Sequence, residues 1–128
     1  MINDIISING YCLPTLVAVT KNEQQRGLMW KEWPPPIMTF PYKKATYNKY
    51  WMNNTPSALD IVFCKDNNII GIYKGNPLST ELIGPNEPSD LVVELPYGTV
   101  SKLGIKVGDY IGFSPSIETI SKIICTNS

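Results

Sequence analysis

The stretch Tyr50-Trp51-Met52-Asn53-Asn54-Thr55-Pro56-Ser57-Ala58-Leu59-Asp60-Ile61-Val62-Phe63 constrains the fold of this chain more than any other. Its two ends are apolar and suit strands. Its middle, Asn-Asn-Thr-Pro-Ser, is turn vocabulary, because Asn tolerates left-handed backbone and Pro fixes φ. The second strand opens on Asp60. Ile61-Val62-Phe63 then forms a short, wholly apolar run, as in a strand buried on both faces.

Short elements of the same kind fill the rest of the chain. Asn9-Gly10 accepts φ > 0 at both positions and predicts a hairpin between Ile5–Ile8 and Tyr11–Val19, with Pro14 marking an edge or bulge. Thr20-Lys21-Asn22-Glu23 is a capping box that predicts a short helix from Lys21 to about Met29, weakened by Gly27. Pro34-Pro35-Pro36 forbids helix, and Ile37 to Phe40 reads as a strand stopped by Pro41. Tyr42 to Tyr50 interleaves lysines with tyrosines. That pattern suits a phosphate or nucleic-acid contact, or a solvated hairpin whose lysines guard an edge strand.

Asp66-Asn67-Asn68 predicts a turn into a strand over Ile69 to Tyr73. Lys74 to Asp90 has no periodicity and reads as a long loop of the kind often used for binding. Leu91 to Leu95 is a strand. Thr99 to Leu103 makes a helical turn closed by Gly104, with Ile105 folding back onto it. Lys106 to Asp109 is a tight turn before a closing strand, Tyr110 to Phe113. Ile117, Ile120, Ile123 and Ile124 fit a helical stripe about as well as an irregular strand.

Charge and composition exclude several classes of function. Eleven basic residues balance eleven acidic ones in 128 residues, so nothing drives the chain globally toward nucleic acid or an anionic membrane. With no His, Ser-His-Asp and Cys-His catalysis are excluded. Cys12, Cys64 and Cys125 are far apart and form no C-x-x-C, which suits free thiols in a reducing compartment and no zinc site. No glycine pattern resembles a phosphate cradle. No apolar run is long enough for a bilayer, and Met1-Ile2-Asn3-Asp4 does not begin a signal peptide, so a cytoplasmic protein is expected.

Carboxylates and amides remain as carriers of chemistry. Asp60 and Glu94 each sit at or in an otherwise apolar strand, where a carboxylate needs a hydrogen-bond partner. As function, they form an acid/base pair or ligand anchors. As structure, Asp60 accepts amides of the Asn53 to Ser57 turn and Glu94 points outward. Trp51 is either core or the apolar wall of a pocket with Asn54 and Thr55 at its mouth.

Several motifs in register resemble one family. Thr20-x-x-Glu23-x-x-x-Gly27-Leu28-Met29, Tyr50-Trp51-Met52-x-Asn54-Thr55 and Leu59-Asp60-Ile61-x-Phe63 are similar to the uncharacterised family catalogued as domain of unknown function 192. Pro88-Ser89, Val93-Glu94-Leu95-x-x-Gly98 and Gly104-Ile105-x-x-Gly108-Asp109 continue the match, which covers roughly residues 4 to 114. The resemblance implies an α+β, mainly β domain: a strongly bent sheet or partly open barrel with one or two short helices. It implies no activity. Asn53 stands where the family usually has a basic residue between Met and Asn, Pro36 where it has a Gly, and in place of the family's usual Arg just after Gly-Leu-Met this chain has Lys31, two residues beyond Met29.

The expectation is therefore one β-rich domain over 1–114 with a C-terminal extension, 115–128, packed on it. The expected role is a binding module for a small polar or sugar-like ligand, with Trp51, Asn54, Thr55, Asp60 and Glu94 as contacts. Alternatives are a carboxylate-based hydrolase and a structural or interaction protein. The expected partners exclude nucleic acid and membrane, the expected state is a monomer or weak dimer, and no cofactor, metal or catalytic residue is assigned.

Overall fold

The computed structural model describes residues 1–126. The chain opens with a hairpin of β1 (Ile2–Ile8) and β2 (Tyr11–Val17). Asn9 and Gly10 both take positive φ, as the two-residue turn requires. The helix α1 (Lys21–Arg26) follows, then β3 (Met38–Thr46), β4 (Leu59–Lys65), β5 (Asn68–Gly75) and β6 (Ser89–Pro96). The helix α2 (Thr99–Leu103), the short strand β7 (Ile111–Phe113) and the helix α3 (Ile117–Thr126) complete the described chain.

The seven strands form one sheet in the order β5-β4-β6-β3-β2-β1-β7. All pairings are antiparallel except β2 with β3, the two strands joined through α1. The sheet curls into a half-barrel. Its two edge strands meet at one corner, where Asn68 bridges Tyr110. The Ile69 amide donates to Asp109 O at 3.0 Å, and the Gly108 amide donates to Ile69 O at 2.8 Å. The α+β, mainly β architecture is the one expected, with three short helices rather than one or two.

Side chains alternate across the sheet and build a core on each face. Ile6, Ile8, Val62, Val93, Leu95 and Ile111 share the first face, closed by Ile105, Val100 and Leu103 around α2. Phe40, Met52, Leu59, Ile61, Phe63 and Val92 share the second, with Leu28 from beyond α1. Burying both faces of β4 explains why Ile61-Val62-Phe63 has no polar alternation. Each such side chain stabilises the fold by about 1.5–3 kcal/mol.

The central stretch departs from the expected pair of strands. Its second half is β4, but its first half makes only a single bridge, Tyr50 with Ile83. The long loop between β5 and β6 is the partner. The Met52 amide donates to Ser79 O at 2.9 Å, and the Leu78 amide donates to Thr55 O at 3.0 Å. The loop thus brackets the central stretch and satisfies its backbone.

The C-terminal segment is helical. Asp4 on β1 anchors its start, accepting from the Ser116 amide at 3.0 Å and from the Thr119 hydroxyl at 2.5 Å. Lys122 reaches Glu23 of α1 at 3.2 Å. Ile117 and Ile124 of the expected apolar stripe are exposed, while Thr119 is the residue buried against the body. Residues 127 and 128 of the expected 115–128 extension lie outside the described residues.

Candidate functional site

The site grows from the end of α1. Thr20 caps the helix by accepting from the Glu23 amide at 3.1 Å, and Glu23 Oε1 accepts in return from the Thr20 amide at 3.1 Å. This box fixes where the helix starts. Gly27, at φ 50°, ends it and turns the chain so that Leu28 enters the second-face core. A Cβ on Gly27 would sit 3.6 Å from the Phe40 ring and 3.7 Å from Glu94 Oε1, so the helix end lies directly on those two residues.

Glu94 reaches this face by register. It pairs with Met38 on β3 and with Ile61 on β4, and residues directly opposite one another in such pairs share a face. Val92 and Phe40 follow two residues along on their strands, and Tyr42 follows Phe40. Tyr50 is held by edge-to-face contacts with Phe40 at 5.0 Å and Phe63 at 5.8 Å between ring centroids. Its hydroxyl hydrogen-bonds the Tyr42 hydroxyl.

The result is a cleft of about 370 Å³. Phe40, Tyr42, Tyr50 and Glu94 form its floor. Trp51, Asn53 and Thr55 form one wall, and Gln24 and Gln25 of α1 with Gly27 just beyond it form the other. The exposed cations Lys21, Arg26 and Lys49 line the same cleft. Lys49 Nζ is held by Gly84 O at 2.6 Å and Asn86 Oδ1 at 3.0 Å. Among the described residues, Lys21 and Arg26 make no side-chain hydrogen bond or ion pair.

Glu94 is the chemically unusual member. It is 4 % exposed, and no donor reaches its carboxyl among the described residues. Burial raises its pKa from 4.5 to about 8, so it is mostly a neutral acid at pH 7. Burial also raises the Tyr42 and Tyr50 hydroxyls above their ordinary range, with the Glu94 charge adding to the same direction. The floor is therefore a set of neutral O–H groups around a largely buried carboxyl, where hydrogen bonds count for more than in water.

The five residues singled out in the sequence do not form one constellation. Trp51, Thr55 and Glu94 line the cleft. Trp51 is 44 % exposed while its neighbour Met52 is fully buried, as strand-like alternation dictates. Thr55 is buried, and its hydroxyl donates to Asn53 O at 3.1 Å, so it braces the turn rather than standing open to water. Asn54 is absent from the lining; its carbonyl accepts from the Trp30 amide at 2.7 Å.

Asp60 lies on the opposite face. It pairs with Leu95, a first-face residue, one position out of step with Glu94. Asp60 Oδ2 accepts from the amides of Gly98 at 3.0 Å and Val100 at 2.9 Å. It accepts nothing from the turn over Asn53 to Ser57, because its side chain projects away from that turn toward the corner after β6. Gly98 offers no side chain to cap α2, and Asp60 supplies the cap from the neighbouring strand. With the sheet between them, Asp60 and Glu94 do not share the space that two-carboxylate glycoside hydrolysis needs, about 5–10 Å across.

Phe40, Tyr42, Tyr50, Lys21 and Arg26 were not among the sequence candidates. The only sequence signal for the last two was the capping box, which places both on one short helix. The Lys–Tyr run contained Tyr42 and Tyr50, but not the information that their rings turn inward. Among the described residues no cluster of three or more acidic, His or Cys side chains could hold a metal ion. Cys64 is buried in the first-face core, its thiol pushed up by burial, which makes it a poor nucleophile. No helix among the described residues is long and apolar enough to cross a membrane.

The family model described as "Uncharacterized ACR", domain of unknown function 192, matches residues 5–113. No curated protein matches the chain. The fold is similar to that of a Sinorhizobium meliloti protein described as a candidate transcription regulator, with 29% identity and a TM-score of 0.81. That match covers 88% of this chain and 94% of the other. It is also similar to a protein of unknown function from Novosphingobium aromaticivorans, with 26% identity and a TM-score of 0.76. Here 87% of this chain and 84% of the other are covered.

Proposed function

As the chain belongs to the uncharacterised family of domain of unknown function 192, we propose that it is a binding module for a small polar ligand, held in the cleft between α1 and the Tyr50–Thr55 segment. One observation carries the proposal. A buried carboxyl with no internal partner is costly, and here it lies on the floor of an open cleft. A bound molecule that hydrogen-bonds Glu94 would relieve that cost.

Two further facts support it. The residues that carry the family resemblance on three separate segments meet in this cleft: Gly27-Leu28-Met29, Tyr50-Trp51 with Thr55, and Glu94. The cleft volume lies at the lower end of the range for small-molecule sites, about 300–1,000 Å³. An aromatic ring beside hydroxyls, an amide and a carboxyl also suits a sugar-like body, which offers both C–H faces and hydroxyl groups.

Proton–nitrogen NMR spectra of the full chain with a panel of small polar compounds test the proposal. A ligand should move the Trp51 indole signal and the Gly27 and Asn53 amides, leaving Gly98 and Val100 behind the sheet unmoved. If no compound moves the cleft signals, or the shifts gather on the Asp60 side, the proposal is wrong.

A further inference from the structure

Resting on that reading of the cleft as a binding site, we infer that its ligand is a small hydroxylated organic anion, with its acidic group at Arg26 and Lys21 and its hydroxyl-bearing body over Glu94, Tyr42 and Tyr50. The chain as a whole is neutral, yet the cleft is lined by three cations and a single acidic side chain. Arg26 and Lys21 bring eight N–H hydrogens to the opening with no acceptor inside the described protein. An anionic oxygen group is the partner that uses them, and Arg offers it two parallel bonds.

The floor asks for something different. The Tyr42–Tyr50 hydrogen bond consumes one hydroxyl hydrogen and leaves the other. Neutral Glu94 adds one O–H donor and one carbonyl acceptor. Both Nε2 hydrogens of Gln24 are spent on Ala18 O at 3.0 Å and Pro41 O at 3.1 Å, leaving its side-chain oxygen as an acceptor. Such a mixed set matches hydroxyl groups, which both give and accept. A second anionic group on the floor would meet a buried carboxyl.

The titratable groups facing Glu94 are Tyr42 from β3 and Tyr50 from the segment before Trp51, both held in the neutral form by burial. The charged groups lining the cleft with it are Lys21 and Arg26 of α1 and Lys49 beside Tyr50. As pH rises through about 8, Glu94 loses its donor and gains a negative charge against a ligand that is already anionic. Binding therefore weakens on the alkaline side.

Isothermal titration calorimetry of the full chain at pH 6.5 and pH 9 decides the matter. The probes are two sugar acids (glucuronate and galacturonate), two sugar phosphates (glucose 6-phosphate and ribose 5-phosphate), glucose, glucosamine and inorganic phosphate. At least one sugar acid or sugar phosphate should bind at pH 6.5 about tenfold more tightly than glucose or inorganic phosphate, and about tenfold more weakly at pH 9. Which pair binds separates a carboxylate from a phosphate source. Arg26→Ala should weaken that binding about tenfold, and Glu94→Gln, which keeps a donor at every pH, should retain it and abolish the alkaline loss. Glucose or glucosamine binding as tightly as the anions overturns the inference and leaves the cleft a binding site. Equal binding of inorganic phosphate overturns the hydroxylated body. Binding of no probe at either pH overturns the inference, while the Trp51, Gly27 and Asn53 NMR signals separately decide whether the cleft binds at all.

Discussion

Replacing Asp60 by Ala should destabilise the domain substantially without touching the cleft. Asp60 is 6 % exposed, and one of its oxygens accepts both the Gly98 and Val100 amides, at 3.0 and 2.9 Å. Removing it strands two donors at the start of α2. A stranded buried donor costs about 1–3 kcal/mol. Gly98 is exposed, so water recovers part of one bond, while Val100 is half-buried and packs with Ile105 against the first-face core. The expected loss is about 2–4 kcal/mol. For a domain of this length that lowers Tm by roughly 6–15 °C.

Asp60→Asn keeps an acceptor but loses the charge assistance, and should cost about half as much. Thr55→Ala removes one neutral hydrogen bond, to Asn53 O at 3.1 Å, and should cost about 1 kcal/mol. Calorimetric melts of the three variants give the order directly. If Asp60→Ala melts within a degree of the parent, or no lower than Thr55→Ala, the carboxylate is not the cap of α2 and the reasoning fails.

Glu94→Gln should stabilise the protein at neutral and alkaline pH and change it little at pH 4. A carboxyl raised from 4.5 to about 8 in the folded state makes the fold lose stability as pH rises from 4.5, levelling off above 8, by on the order of 5 kcal/mol. Urea titrations of parent and variant between pH 4 and pH 9 should diverge over that window, and parallel curves would refute the assignment. Thr20→Ala should cost about 1 kcal/mol and Thr20→Ser almost nothing in the same assay, because only the first empties the capping box. Gly84→Ala should cost at least about 2 kcal/mol, since φ is 151° and a Cβ would lie 2.7 Å from Asn48 O. A melt within 2 °C of the parent would show that the bracket loop yields there.

How much of this was legible in the sequence depends on how local the cause was. The Asn9-Gly10 hairpin, the Thr20/Glu23 box, the Gly104 cap with Ile105 folding back and the apolar β4 core run all rest on residues a few positions apart. Each appears where local chemistry put it. The partner of the central stretch was not legible, because Tyr50 pairs with Ile83 across the whole of β4 and β5. Asp60 was expected to serve the turn five residues before it. It serves amides 38 and 40 residues on, which only the β4–β6 register brings near. The same register separates Asp60 from Glu94 by one position, and in a sheet one position is the other face. The cleft itself needs four distant segments to meet, and of its lining the sequence singles out only Trp51, Thr55 and Glu94.

The central claim is that Glu94 is a buried carboxyl without a protein partner, kept neutral on the floor of the cleft. Carbon-13 NMR of the glutamate side-chain carboxyls, with the Glu94 signal assigned by its loss in Glu94→Gln, reads that claim directly. The account expects this one carboxyl to titrate near pH 8 in the ligand-free protein. A midpoint near 4.5 would contradict it, because the charged form would then be stabilised by water or a partner, and the proposed binding role would lose the feature on which it rests.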